Sequence, residues 1–119
     1  MLPLFAQTPP PPYYAAIFTS QRTVGERGYN DMANHMAALA SQQPGYLGAE
    51  STRDTDGFGI TVSYWESEAA IQQWKRNAEH QVAQHKGHRI WYQHFELRIA
   101  KVERAYGMGH EPRAIAASS

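Results

Sequence analysis

The sequence predicts an α+β fold of one domain, with elements in the order β-α-β-β-α-β. Three observations carry that expectation. Residues 58–65 (FGITVSYW) alternate with the two-residue period of a strand, sending Phe58, Ile60, Val62 and Tyr64 one way and Gly59, Thr61, Ser63 and Trp65 the other. Tyr29, Met32, Met36 and Leu39 recur at steps of three, four and three, the apolar stripe of an amphipathic helix. Asp56-Gly57, between two strand-like runs, is a hairpin signal.

Each element follows from local chemistry. Tyr13 to Gln21 (YYAAIFTSQ) is rich in β-formers and reads as the first strand. Gly25 and Gly28 mark a loop, and the helix with the Tyr29 stripe ends at Pro44-Gly45. Leu47, Ala49 and Ser51 then alternate with Gly48, Glu50 and Thr52 in a second strand, which pairs with the third through the Asp56-Gly57 turn. Ser67 is suited to cap a second helix, with Glu68 against its positive end, and Gly87 is a suitable residue just past its end. A break near Asn77 and a short helical turn over His88 to Tyr92 are both compatible with the pattern. The last strand spans Phe95 to Val102, with Phe95, Leu97 and Ile99 on one face and Glu96 and Arg98 on the other. The order is the ferredoxin-like one, a four-stranded antiparallel sheet with both helices on one face. Its second face is left bare and only weakly charged, so a homodimer packed sheet to sheet is expected.

The 119 residues suffice for one core. Residues 1–12 form a Pro-rich arm, 13–107 the domain and 108–119 a tail. The prolines Pro9 to Pro12 favour a stiff segment, either solvated or lying across a partner subunit. Eleven basic side chains balance eleven acidic ones, which gives no general reason to bind nucleic acid or an anionic membrane. No cysteine is present, which removes disulfides, thiol catalysis and thiolate metal ligands and fits a reducing cytoplasm. No apolar run reaches the roughly 18 residues of a membrane span, and the N-terminus does not read as a signal peptide.

Four of the six histidines fall within 74–95 (WKRNAEHQVAQHKGHRIWYQHF). On a continuous helix Ile71, Trp74, Ala78, Val82 and His85 share one stripe, which must face the sheet. His80 lies on the far side, turned to solvent unless the helix breaks. His88 and His94 lie beyond the helix end. His85 is therefore the inward candidate, either a core-edge residue satisfied by a carbonyl or a pocket base with an ordinary pKa near ~6.5. A metal site is not expected. His85 and His88 stand three apart, but nothing in the spacing brings Glu79 or Glu96 to them, and no HExxH motif occurs. Nucleotide-binding glycine motifs and a GxSxG turn are also absent.

PGYLGAES, GITVSYWESEAAIQQWK and the closing RIAKVERAYG, in that order, resemble the antibiotic biosynthesis monooxygenase domain of the dimeric α+β barrel superfamily. The similarity covers about Tyr13 to Gly107, and its most specific element is Trp65-Glu66-Ser67 leading into a helix that carries Trp74. The resemblance implies a homodimer that binds a small aromatic ligand. It also implies a cofactor-independent monooxygenase acting with dioxygen on an electron-rich phenol, quinol or polyketide-like molecule. Trp65 matches a pocket-lining tryptophan of polyketide-oxidising relatives, and Thr61 stands where those relatives carry an asparagine. Haem-degrading relatives use an asparagine on the first strand, a tryptophan matched by Trp74, and an axial histidine about ten residues later. Here the first strand has no asparagine, and position 84 is Gln84, with His85 next to it. The expected roles are base or hydrogen-bond donor for His85, with His80 second, and substrate binding for Trp65, Trp74, Thr61 and Asn77. Two alternatives remain open: a non-catalytic ligand-binding or stress-response dimer, and a haem-binding or haem-degrading protein.

Overall fold

The computed structural model describes residues 5–26, 28–85 and 91–108, with the backbone alone for 82–85. The elements are β1 (Tyr13–Arg22), α1 (Tyr29–Ser41), β2 (Tyr46–Arg53), β3 (Phe58–Trp65), α2 (Glu68–His85) and β4 (Tyr92–Val102). The sheet order is β2-β3-β1-β4, and every neighbouring pair is antiparallel. This is the ferredoxin-like α+β fold.

Local chemistry fixes the joints. The Glu26 carboxylate accepts the backbone N–H groups of Gly28, at 2.9 Å, and of Asn30, satisfying donors at the start of α1. Gly45 has φ 85°, and a Cβ there would lie 2.7 Å from Ala70 Cβ, so only glycine lets this turn close against the first turn of α2. Ser67 caps α2 as its position suggests, its Oγ accepting the N–H of Ala70 at 3.1 Å. Asp54 Oδ1 accepts the N–H groups of Asp56 (2.9 Å) and Phe58 (3.0 Å) and holds the β2–β3 hairpin.

Two boundaries differ from the sequence reading. Helix α2 runs through Asn77 without a break. Strand β4 begins at Tyr92 rather than Phe95, because Tyr92 pairs with Arg22 across a register shift after Gln21. Of the expected helical turn over 88–92, Trp91 is helical and Tyr92 is strand, and residues 88–90 lie outside the described residues.

The strand register assigns the two sheet faces. Tyr14, Ala16, Phe18 and Ser20 of β1 pair with Trp65, Ser63, Thr61 and Gly59 of β3. This face meets the helices: Ala16, Trp65 and Ile71 form the buried core, with Tyr14, Tyr46, Ala70 and Trp74 packed against it. The larger apolar set of β3 points away from the helices, leaving Phe58 47% and Ile60 37% exposed. A sheet covered on one face normally buries its larger apolar groups there. In β3 the smaller and more polar row faces the helices instead.

The described part of the N-terminal arm is largely exposed but makes contacts with its own sheet. It folds onto the open face of its own sheet. Ala6 N donates to Glu50 Oε2 at 3.0 Å, Tyr64 Oη donates to Glu50 Oε1 at 2.7 Å, and Thr8 Oγ1 donates to Tyr13 Oη at 3.1 Å. Gly48 provides the space, since a Cβ there would sit 3.0 Å from Ala6 Cβ. The slot at Gly48 and the acceptor at Glu50 are why the arm lies here.

Candidate active-site cleft

The helix side of the sheet carries two clusters with an open floor between them. At one end Trp74 of α2 stacks on Trp65 of β3, ring centroids 6.1 Å apart and planes 22° apart. Tyr46 meets Trp65 edge-on at 5.4 Å, and Trp65 Nε1 donates to Ser63 Oγ at 2.9 Å. Trp65 is fully buried and its indole N–H is satisfied, as buried tryptophans require. Trp74 is half-buried.

At the other end Arg53 of β2 and Arg22 of β1 flank Tyr29 of α1. Arg53 Nη1 donates to Gly57 O (2.6 Å) and Ser20 O (3.3 Å), and its Nη2 donates to Ser20 Oγ (2.8 Å) and Tyr29 Oη (3.3 Å). Gly59 makes room for this guanidinium, because a Cβ there would come within 2.7 Å of Arg53 Cζ. Arg22 lies with Cζ 3.7 Å from the Tyr29 ring centroid, while its Nε donates to Trp91 O at 3.1 Å. Tyr92 stands edge-on to Tyr29 and Phe18, with its hydroxyl 3.5 Å from Tyr29 Oη. Burial first, then the hydrogen bond to Tyr29, raise the Tyr92 hydroxyl well above the ordinary phenol range, opposed by Arg53 and Arg22.

The floor between the clusters is set by two rows in the strand register. One runs Ser51, Thr61, Phe18, Leu97, and the next Ala49, Ser63, Ala16, Ile99, whose middle lies under the Trp65 cluster, with Ala16 buried and Ser63 bonded to the indole. Ser51 Oγ and Thr61 Oγ1 lie 2.7 Å apart in a hydroxyl pair. On the β4 side Phe95, Leu97 and Ile99 are 41%, 38% and 42% exposed. The floor therefore offers hydroxyls on one side and an exposed apolar ridge on the other. Such a surface suits a flat molecule with one polar edge.

The candidates separate clearly against this geometry. Trp65 belongs to the core and stacks on Trp74, and Thr61 is on the floor. Asn77 is half-buried one turn beyond Trp74, whereas His80 is exposed on the unbroken helix. His85 is the last residue of α2, and its side chain lies outside the described residues, as does His88. His94 is on the other sheet face, its Nε2 2.8 Å from Glu96 Oε2, with both side chains largely exposed. Glu79 pairs at the surface with Lys75 at 3.3 Å. Among the described residues no three histidine, aspartate or glutamate side chains cluster as metal ligands would. The sequence reading missed the Arg22–Tyr29–Arg53 group. Its signal was alternation: Arg53 follows Ser51 at the strand period, directly opposite a glycine.

A four-stranded antiparallel sheet in ferredoxin-like order with two helices defines the class. The chain belongs to the antibiotic biosynthesis monooxygenase family, which matches residues 27–86. It is 49% identical over 104 residues to the uncharacterized protein YqjZ of Bacillus subtilis (strain 168), covering 87% of this chain and 91% of that one. Among solved structures, SnoaB, a cofactor-independent oxygenase from Streptomyces nogalater, superposes with a TM-score of 0.63 at 12% identity, covering 76% of this chain and 92% of SnoaB. MhuD, solved with two manganese protoporphyrin IX molecules per active site, gives 0.56 at 24% identity, covering 82% of this chain and 99% of MhuD. Both share the fold with this chain.

Of the haem-site residues that the resemblance implies, strand β1 offers no asparagine, and the His85 side chain lies outside the described residues.

Proposed function

We propose that the chain is a cofactor-independent monooxygenase whose helix–sheet cleft binds a small electron-rich phenol, quinol or polyketide-like aromatic. The open floor carries this reading. An exposed apolar ridge and a hydroxyl pair lie side by side on the face where a two-layer fold would otherwise bury its core. Trp74 stacks on the ring of the substrate, with Trp65 behind it. Thr61 and Ser51 hydrogen-bond the substrate oxygen, and Asn77 reaches it from α2. His85, at the end of α2, removes the phenolic proton, and His80 is the second candidate for that role. The resulting anion passes one electron to dioxygen, and the radical pair recombines into a C–O bond, giving a peroxide. Loss of water from the peroxide leaves a carbonyl. The net change, CH2 plus O2 to C=O plus H2O, balances without an external reductant. Excluding water from the apolar floor protects the anion and the peroxide.

The open face, with Phe58, Ile60, Ile17 and Val62, is the surface through which two copies form the proposed homodimer. A second reading is a non-catalytic dimer that only holds an aromatic molecule. It is favoured by the hydroxyl and alkyl character of the described floor. Dioxygen uptake with a panel of quinols separates the two readings: catalysis requires uptake that falls on His85→Ala, and binding alone gives none.

A further inference from the structure

We propose that the Arg22–Tyr29–Arg53 end of the cleft is an anion site, and that the aromatic ligand carries a carboxylate which enters it. The inference rests on the cleft being the aromatic-binding site.

Two guanidinium groups share one tyrosine ring, at 3.7 Å for Arg22 and 5.7 Å for Arg53. Like charges so placed repel unless an anion stands between or beside them. Among the described residues no carboxylate forms an ion pair with either arginine. Glu26 is turned to the start of α1, Asp54 to its own hairpin, Glu50 to the arm on the opposite sheet face, and Glu96 to His94. Every hydrogen bond made by the two arginines goes to a neutral carbonyl or hydroxyl oxygen. Those bonds fix the guanidiniums in place but leave their charge uncancelled.

Donors remain for a ligand. Arg22 uses Nε and Nη2, the latter toward Gly25 O and Glu26 O, and Nη1 makes no hydrogen bond among the described residues. Tyr29 Oη receives bonds from Arg53 and Tyr92, so its own proton is free to be donated outward. A carboxylate needs two such donors next to positive charge. The Phe18–Phe95–Leu97 part of the floor adjoins this end, since Tyr92 packs edge-on against both Phe18 and Phe95. A ring on that floor would point a ring-borne acid at Arg22 and Tyr29.

The test is calorimetric binding of 2-naphthoate against the neutral, equally shaped 2-naphthamide. At low salt the acid should bind at least about tenfold more tightly, the scale of a charge-assisted hydrogen bond. Arg22→Met should remove that preference, weakening the acid far more than the amide, and Arg22→Lys should keep most of it. If Arg22→Met does not fold, a salt titration of the unaltered protein decides, because the acid's advantage should shrink as screening rises while the amide's affinity holds. Equal affinity for acid and amide, or a preference indifferent to salt and to Arg22→Met, overturns the anion site alone. Binding of neither compound overturns the cleft reading and the anion site with it.

Discussion

Trp74 lies parallel to Trp65 at 6.1 Å, joining a half-buried ring on α2 to a fully buried one on β3. One of the pair is core, and the other is the half-exposed edge of that core. The two should therefore respond differently to truncation. Trp65→Ala removes a side chain with no exposed surface and should cost roughly 3–5 kcal/mol in urea denaturation. Trp74→Ala should cost clearly less and show its main effect as weakened binding of an aromatic ligand. Equal losses of stability would show that Trp74 is merely core.

Gly59 is the second position with a definite expectation. A Cβ at Gly59 would meet both the Arg53 guanidinium, at 2.7 Å, and the backbone oxygen of Thr52, at 2.8 Å, so Gly59→Ala forces both to move. A loss of about 1–3 kcal/mol is expected, the cost of overpacking. Gly59→Ala combined with Arg53→Ala should lose less than the sum of the single changes, measured as a double-mutant cycle.

The tyrosines set the alkaline limit of stability. Tyr64 is held protonated by burial first, then by its hydrogen bond to the Glu50 carboxylate, and Tyr92 by burial and Tyr29. Their hydroxyls ionise less readily folded than unfolded, so the native state keeps protons that the unfolded chain gives up. Their contribution is complete below the ordinary tyrosine value of ~10 and is lost as pH rises beyond it. Denaturation midpoints should fall above that pH, and Tyr64→Phe should flatten the fall. A spectrophotometric titration in which every tyrosine ionises near the ordinary value would contradict this.

Glu50 ties the arm down by accepting from Ala6 N and Tyr64 Oη. Glu50→Ala should speed amide exchange and proteolysis within residues 5–12 and cost about 1–2 kcal/mol. Unchanged protection of the arm would mean that its packing, at Gly48 above all, holds it without the carboxylate.

Much of the fold was legible because it rests on short-range signals. The alternation of β3, the Asp54–Phe58 hairpin, the Ser67 cap and the α1 stripe each reappear at the expected residues. Tyr92 was misassigned because its strand character comes from pairing with Arg22, seventy residues away in sequence, and not from its neighbours. The arm's contacts with its own sheet were not legible for the same reason: their anchors, Gly48 and Glu50, are distant in the chain. Within the site, periodicity brought Trp65 and Thr61 onto one face of β3. It gave no hint that this polar row faces the helices, because that depends on what covers the other face. The Arg22–Tyr29–Arg53 group draws on three elements, and no local pattern joins them.

The most direct test of the proposed chemistry is dioxygen consumption by the purified chain with a panel of quinols and phenolic polycycles. Uptake of one dioxygen per carbonyl formed is expected with at least one of them, without added flavin, metal or haem, and it should drop by about 100-fold or more on His85→Ala, the usual contribution of a general base. Uptake no faster than the uncatalysed rate with every compound, unchanged by His85→Ala, would contradict it.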